Sequence, residues 1–183
     1  EPNCTFWTHD EAALLYACAK QVGGTWADIG ARFGWTTAYL LEAGCRVHAI
    51  DPGFISPAFL GRFQGNMSAY CNDNGYITTH SMTASQFFRK EKDFRLSGCV
   101  IDGCHDTPEP LNDAIDFLKC AKSDCVIMFH DYRGQPIKDA VKSIIKLGFQ
   151  SKTYKTPNGV ACCWRYQSFT PPEHTPDPRL LNT

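Results

Sequence analysis

Four sets of residues in this chain have types and spacings that could do chemistry. The first is Asp28-Ile29-Gly30-Ala31-Arg32-Phe33-Gly34-Trp35-Thr36-Thr37, where two glycines separate an apolar run from a helix start. Glycine at Gly30 and Gly34 lets the backbone turn tightly and lets a ligand approach with no Cβ in the way. The helix that follows presents free N–H groups and the positive end of its dipole. Strand, turn and helix N-terminus together make a nucleotide-type pocket, with the carboxylate of Asp28 expected at its mouth. The second set is Asp51, about 20 residues beyond the turn, where an acid can accept both hydroxyls of a ribose. That role is preferred to an ordinary solvated acid because of the glycine turn before it. The third is Asp102 with His105, and the fourth is His130 with Asp131.

Strands and helices must bring these sets together. Thr8-His9-Asp10-Glu11 has the form of a capping box, and apolar residues follow it at helical spacing, so a helix is expected over His9 to Gln21. Strands are expected at Trp26 to Gly30, Arg46 to Asp51, Tyr76 to His80, Gly98 to Asp102 and Asp124 to Phe129. Helices are expected at Trp35 to Glu42, Pro57 to Asn72, Thr83 to Arg89, Glu109 to Ala121 and Gln135 to Lys146, with Asn72-Asp73-Asn74-Gly75 a loop. Phe149 to Lys155 and Val160 to Tyr166 are strands joined by Thr156-Pro157-Asn158-Gly159, whose Asn-Gly is a hairpin signal. Alternating strands and helices predict an α/β fold, a doubly wound Rossmann-like sheet with helices on both faces and an antiparallel C-terminal hairpin strand. All four sets then fall at the carboxyl ends of strands, where ligands bind in such sheets.

The totals agree with one domain over residues 1–166 and a Pro-rich tail over 167–183. The chain has 183 residues, 43% hydrophobic and 20% charged, with a net charge of −1, so there is no basic footprint for nucleic acid. No apolar run reaches the roughly 20 residues that span a bilayer, and no signal-peptide pattern is visible. Ten cysteines occur without a Cys-x-x-Cys pair, which excludes a zinc signature of that kind. Buried reduced thiols and a cytoplasmic protein are expected, with a disulfide-bearing protein the alternative.

The motifs resemble a known family. Asp28 to Thr37 is similar to the acid-x-Gly-x-x-x-Gly-x-[Ser/Thr] cofactor loop of class I S-adenosylmethionine-dependent methyltransferases, and Val47-His48-Ala49-Ile50-Asp51-Pro52 to their second motif. Ile101-Asp102-Gly103-Cys104-His105 and Met128-Phe129-His130-Asp131-Tyr132 resemble paired segments of a small-molecule O-methyltransferase subset. That subset, the methyltransferase-24-like group, includes macrolide-sugar and cephalosporin-hydroxylase-like proteins. The resemblance covers about Thr25 to Tyr166 and implies a seven-stranded sheet whose last strand is antiparallel. It implies that the turn holding Gly30, Ala31, Arg32, Phe33 and Gly34 binds the methionine moiety, that Asp51 binds the ribose, and that Ser81-Met82-Thr83 covers the adenine. It points to Asp102 and Asp131 as ligands of Mg²⁺, with Asp106 and Asp51 considered for a third carboxylate, and to His105 as general base beside Asp102. His130 is expected to be a structural histidine under strand five, and Cys104 a lining residue.

The function that follows is methyl transfer to a hydroxyl of a small molecule, a sugar or a phenol. The short region before the first strand leaves the acceptor pocket open, or completed by the tail or by a second copy of the chain. A nicotinamide-dependent oxidoreductase is the alternative, although its Gly-x-Gly-x-x-Gly fingerprint is incomplete here. A non-catalytic cofactor-binding subunit is the third reading.

Overall fold

The structure, a computed structural model, describes residues 6–70, 76–91 and 94–174. The Asn72–Gly75 loop, Cys4, Cys71 and the end of the tail lie outside the described residues. The described residues form seven strands: β1 (Thr25–Ile29), β2 (Arg46–Ile50), β3 (Ile77–His80), β4 (Leu96–Ile101), β5 (Ala121–Phe129), β6 (Gln150–Tyr154) and β7 (Val160–Trp164). Among the described residues six α-helices connect or precede them: α1 (His9–Val22), α2 (Trp35–Glu42), α3 (Pro57–Met67), α4 (Ala84–Lys90), α5 (Glu109–Cys120) and α6 (Gln135–Lys146). A short 3-10 turn at Pro52–Ile55, which the sequence pattern did not reveal, links β2 to α3. Helix α3 ends at Met67, five residues before the expected Asn72.

The strands lie in the order β3-β2-β1-β4-β5-β7-β6. All neighbours pair in parallel except β7, which runs antiparallel to both β5 and β6. The hairpin explains this ending: α6 carries the chain to the edge strand β6, and the Asn158-Gly159 turn sends β7 back into the gap beside β5. Successive strands step outward from β1 to β3, and the chain then returns to place β4 on the other side of β1. The β1–β4 boundary is thus the topological switch point, where the crevice at the carboxyl ends opens.

Helices cover both faces, so β4 and the second half of β5 are buried on both sides and read as continuous apolar runs. One face packs Phe87, Phe117, Ile137 and Ile144 of α4, α5 and α6 against Cys99, Ile101 and Ile127. The other packs Leu14, Leu15 and Cys18 of α1 and Leu40 of α2 against Trp26, Val100 and Met128. Phe169 of the tail is buried against Trp164, and the carbonyl of Pro172 accepts hydrogen bonds from Tyr154 Oη and Lys152 Nζ. The first residues beyond the expected boundary at 166 therefore strap onto the sheet.

Candidate active site

The glycine turn is built as its sequence predicts, for a partly different reason. Gly30 has φ of 79°, and a Cβ placed there would stand 2.2 Å from the backbone oxygen of Asp102. The glycine is needed for left-handed backbone and for the close approach of the loop after β4, as well as for any ligand. Gly34, with φ of 88°, starts α2 in the same left-handed region. Replacing Gly30 with alanine is expected to cost more than about 1 kcal/mol, read by thermal unfolding. Gly34→Ala, also on left-handed backbone, would meet side chains and not backbone, the end of Met67 at 2.7 Å and the ring of Phe63 at 3.1 Å, and is expected to cost less than Gly30→Ala.

Asp28 corrects the expectation of a carboxylate at the pocket mouth. Its side chain is fully buried, and its oxygens accept hydrogen bonds from the hydroxyls of Thr36 and Thr37. Burial pushes its carboxyl up to about 6, against the pull of those hydroxyls. Asp28 therefore ties the first turn of α2 to β1 and acts on the turn from behind, because the strand direction at position 28 points it under the helix.

Asp51 does face the cleft. Its Oδ2 accepts from the backbone N–H of Arg32 at 2.9 Å and its Oδ1 from that of Gly53 at 2.7 Å. These two bonds hold the carboxylate between the glycine turn and the 3-10 turn, and each oxygen keeps a lone pair for a ligand hydroxyl. Arg32 takes φ of 46°, and its guanidinium lies 4.6 Å from the ring centre of Phe6 and 5.5 Å from that of Phe33. The cationic head thus sits between aromatic rings at the rim.

The acids and histidines of β4 and β5 meet in one cluster. His130 is fully buried, with Nδ1 3.0 Å from Asp102 Oδ1 and 3.2 Å from Asp131 Oδ2, and Nε2 3.2 Å from Glu11 Oε2. Burial opposes its charge, but hydrogen bonds to Asp102, Asp131 and Glu11 outweigh that and hold the imidazolium up to about 11. Burial also opposes the charge of Glu11, and the hydrogen bond to His130, with others from Thr8, Thr156 and Asn158, holds its carboxyl down to about 2. Trp7 stacks on the His130 ring at 4.6 Å and donates its indole N–H to Asp102 Oδ2 at 2.9 Å. His130 is the structural histidine expected, and its charge also braces both acids.

His105 stands above this cluster, Nε2 3.6 Å from Asp102 Oδ1 and Nδ1 3.5 Å from Asp131 Oδ2. The neighbouring Asp102 carboxylate raises its pKa, burial lowers it, and Asp131 raises it further, with a net upward direction. Its Nε2 is shielded from solvent and has no hydrogen-bond partner among the described residues. Asp102, His105 and Asp131 each offer one atom, all within 4.8 Å of one another, which is metal-ligand spacing. The third donor beside the two acids is thus His105. Asp51 is engaged by backbone amides, and Asp106 is exposed and accepts from Cys104 Sγ.

A cleft of about 530 Å³ joins the turn to this cluster. Gly30, Ala31, Arg32, Phe33, Asp51, Thr83, Asp102, Cys104 and His105 line it, whereas Asp28, Gly34, Ser81, Met82 and Asp131 do not, Asp28 and Gly34 being buried and Ser81 exposed to solvent. Thr83 serves as the N-cap of α4 in a capping box with Gln86, and Met82 packs toward the core. Among the residues that line or brace the site, Phe6, Trp7, Glu11, Glu109 and Asp113 were not foreseen. Glu11 carried a signal: it shares a helical stripe with Leu15 and Cys18, so its carboxylate had to point inward. Eight cysteines are described, all unpaired, and seven of them are buried. Among the described residues no helix is long and apolar enough to cross a membrane.

Comparisons with known proteins bear on this arrangement. Similar solved structures include a Staphylococcus aureus protein described provisionally as a caffeoyl-CoA O-methyltransferase, at 12% identity and a TM-score of 0.71 over 87% of this chain and 85% of that one. An O-methyltransferase from Bacillus cereus in complex with S-adenosylhomocysteine matches at 17% identity and a TM-score of 0.67, over 89% and 83% of the two chains. An S-adenosylhomocysteine-bound methyltransferase from Podospora anserina matches at 9% identity and a TM-score of 0.70, over 87% and 80%. At these identities the likeness is one of fold. No curated protein matches the sequence. A family model described as a methyltransferase domain matches residues 27–132, from the glycine turn through the acids of both strand ends. That match takes in more than half of the chain, and the chain belongs to the methyltransferase-domain family.

Proposed function

We propose that this protein transfers the methyl group of S-adenosylmethionine to a hydroxyl of a small molecule, with His105 taking the hydroxyl proton. The observation that carries this reading is the His105 imidazole at the edge of a cleft it shares with the glycine turn, its Nε2 3.6 Å from Asp102 Oδ1 and its Nδ1 3.5 Å from Asp131 Oδ2. In the reading, the Gly30–Gly34 turn holds the methionine moiety, Asp51 the ribose, and the Ser81-Met82-Thr83 segment the adenine side. Bound S-adenosylmethionine supplies an electrophilic methyl group on a sulfonium. The chain's own task is alignment: a hydroxyl held near His105 loses its proton to the imidazole as its oxygen approaches that carbon in line. Asp102 and Asp131 orient the ring. Phe6, Phe33 and Trp35 border the cleft with apolar faces on which a sugar or phenol ring can stack.

The same three residues also fit a divalent cation. Two carboxylates and an imidazole make a mixed oxygen and nitrogen donor set, which suits Mn²⁺, Fe²⁺ or Co²⁺ as well as the Mg²⁺ expected from the motifs. Held there by Asp102 and Asp131, an ion would supply Lewis acidity toward the acceptor hydroxyl. If His105 completes that set, it is a ligand and the base lies elsewhere.

Calorimetric titration with S-adenosylhomocysteine and with NADH tests the cofactor. Binding of the first and not the second is expected, and the reverse would sink the reading. Methyl transfer to a panel of sugar and phenol hydroxyls, with and without chelator, then tests the chemistry. Tight cofactor binding with no transfer to any acceptor would favour a non-catalytic subunit.

A further inference from the structure

We propose that the chain holds a second ligand site, at the amino end of its sheet, which takes a small organic phosphate monoester. A cavity of about 330 Å³ opens there, walled by the starts of β1, β2 and β3 and by the segment entering β4. Thr25 and Arg46 are register partners where β1 and β2 begin. Tyr76 stands just before β3, its carbonyl accepting from the Val47 N–H at 2.7 Å, and Arg95 stands just before β4. Thr25 lines this cavity and Ile29, four residues on along the same strand, lines the cleft. The two sites are thus about 13 Å apart along the sheet, and they share no lining residue.

The lining chemistry is that of an anion site. Arg46 and Arg95 both line the cavity, and none of its described lining residues is acidic. Neither arginine makes an ion pair among the described residues. The Arg46 guanidinium rests 5.9 Å from the ring centre of Tyr76, and Arg95 Nη1 donates to the adjacent carbonyl of Phe94 at 3.4 Å. The hydroxyls of Thr25, Tyr76 and Thr78 add donors to the same wall. His48 is half-buried beside them, its ring 4.4 Å from that of Phe94 and its Nδ1 3.0 Å from His80 Nε2. Burial first, and then His80, pushes its pKa down to about 4 against the pull of Glu91, so near neutral pH the cavity's positive charge comes from the arginines.

Two guanidinium groups select the anion. Each fork can meet two oxygens of an oxyanion at once. A phosphate monoester carries close to two negative charges at neutral pH and three terminal oxygens, enough for both forks. A carboxylate, with one charge and two oxygens, satisfies one. Phe94 and the buried Leu96 add an apolar wall that a bare inorganic ion would leave to water, so the phosphate carries an organic group.

Calorimetric titration with phenyl phosphate, inorganic phosphate and benzoate tests the site on the wild-type chain, Arg46→Ala, Arg95→Ala and Arg95→Lys. The wild type is expected to bind phenyl phosphate more tightly than either other probe. Each alanine variant is expected to bind it about tenfold more weakly or worse, the size of a hydrogen bond to a charged group. Both arginines are exposed, so the unfolding temperature is expected to hold. Arg95→Lys, which keeps the charge and loses the fork, is expected to fall between. No binding of phenyl phosphate by the wild type, an affinity that both alanine variants retain, or competition with S-adenosylhomocysteine overturns the proposal. Benzoate bound as tightly as phenyl phosphate overturns the choice of phosphate. The arginine variants decide the matter whether or not the chain binds the thioether, so this site stands or falls apart from the methyl-transfer reading.

Discussion

Glu11→Ala is expected to lower the stability of the metal-free protein by about 3–5 kcal/mol, the usual cost of removing one partner from a buried ion pair. The change strips His130 Nε2 of its carboxylate and leaves the N–H groups of Thr8 and Asn158 without their acceptor. For a chain of this length it corresponds to a drop of roughly 10 °C in unfolding temperature, read by calorimetry in chelator. A shift within about 1 kcal/mol, the scale of an exposed pair, would mean that the Glu11–His130 contact is not formed.

The pH dependence of the same cluster has a definite sign. His130 is raised in the folded state, so its contribution is fully present below its unfolded value near 6.5 and is lost as pH rises toward about 11. Glu11 is depressed, so its contribution is present above its unfolded value near 4.5 and is lost as pH falls toward about 2. Both contribute in full between those unfolded values. Wild-type stability is expected to decline from near neutral pH into the alkaline range, and the decline should be shallower in Glu11→Ala.

The second large effect is on rate. His105→Ala is expected to lower kcat by about 10²–10⁴-fold, the range for a lost general base, while S-adenosylhomocysteine binding stays within a few-fold of wild type. The measurement also separates the two uses of the imidazole. A base leaves the affinity for Mn²⁺ unchanged, and added imidazole recovers part of the rate. A metal ligand leaves Mn²⁺ binding weak in the variant whatever the base supplied. A rate within about tenfold of wild type would remove His105 from both roles.

Local patterns made much of the fold legible. The capping box at Thr8, the Asn158-Gly159 hairpin and the apolar runs of β4 and β5 depend on neighbours within a few residues, and each folds as its pattern predicts. The 3-10 turn at Pro52 was missed because Asp51 read as a ribose ligand, while its carboxylate also caps the Gly53 N–H. Asp28 was misplaced because alternation along a buried strand does not say which of its side chains end beneath a helix.

The sequence by itself determined the element order, the glycine turn and the placing of acids and histidines at strand ends, because those depend on local periodicity and on which residues tolerate a turn. Only the tertiary structure decided who meets whom at those ends. Strand pairing brings Asp102 and His130 within 3.0 Å, and the crossing of α1 delivers Glu11 from 119 residues away to the far side of the same ring. The packing of α5 against β4 likewise leaves Asp113 lining the cleft. Such contacts are set by sheet register and helix packing across the whole chain, so no window of sequence contains them.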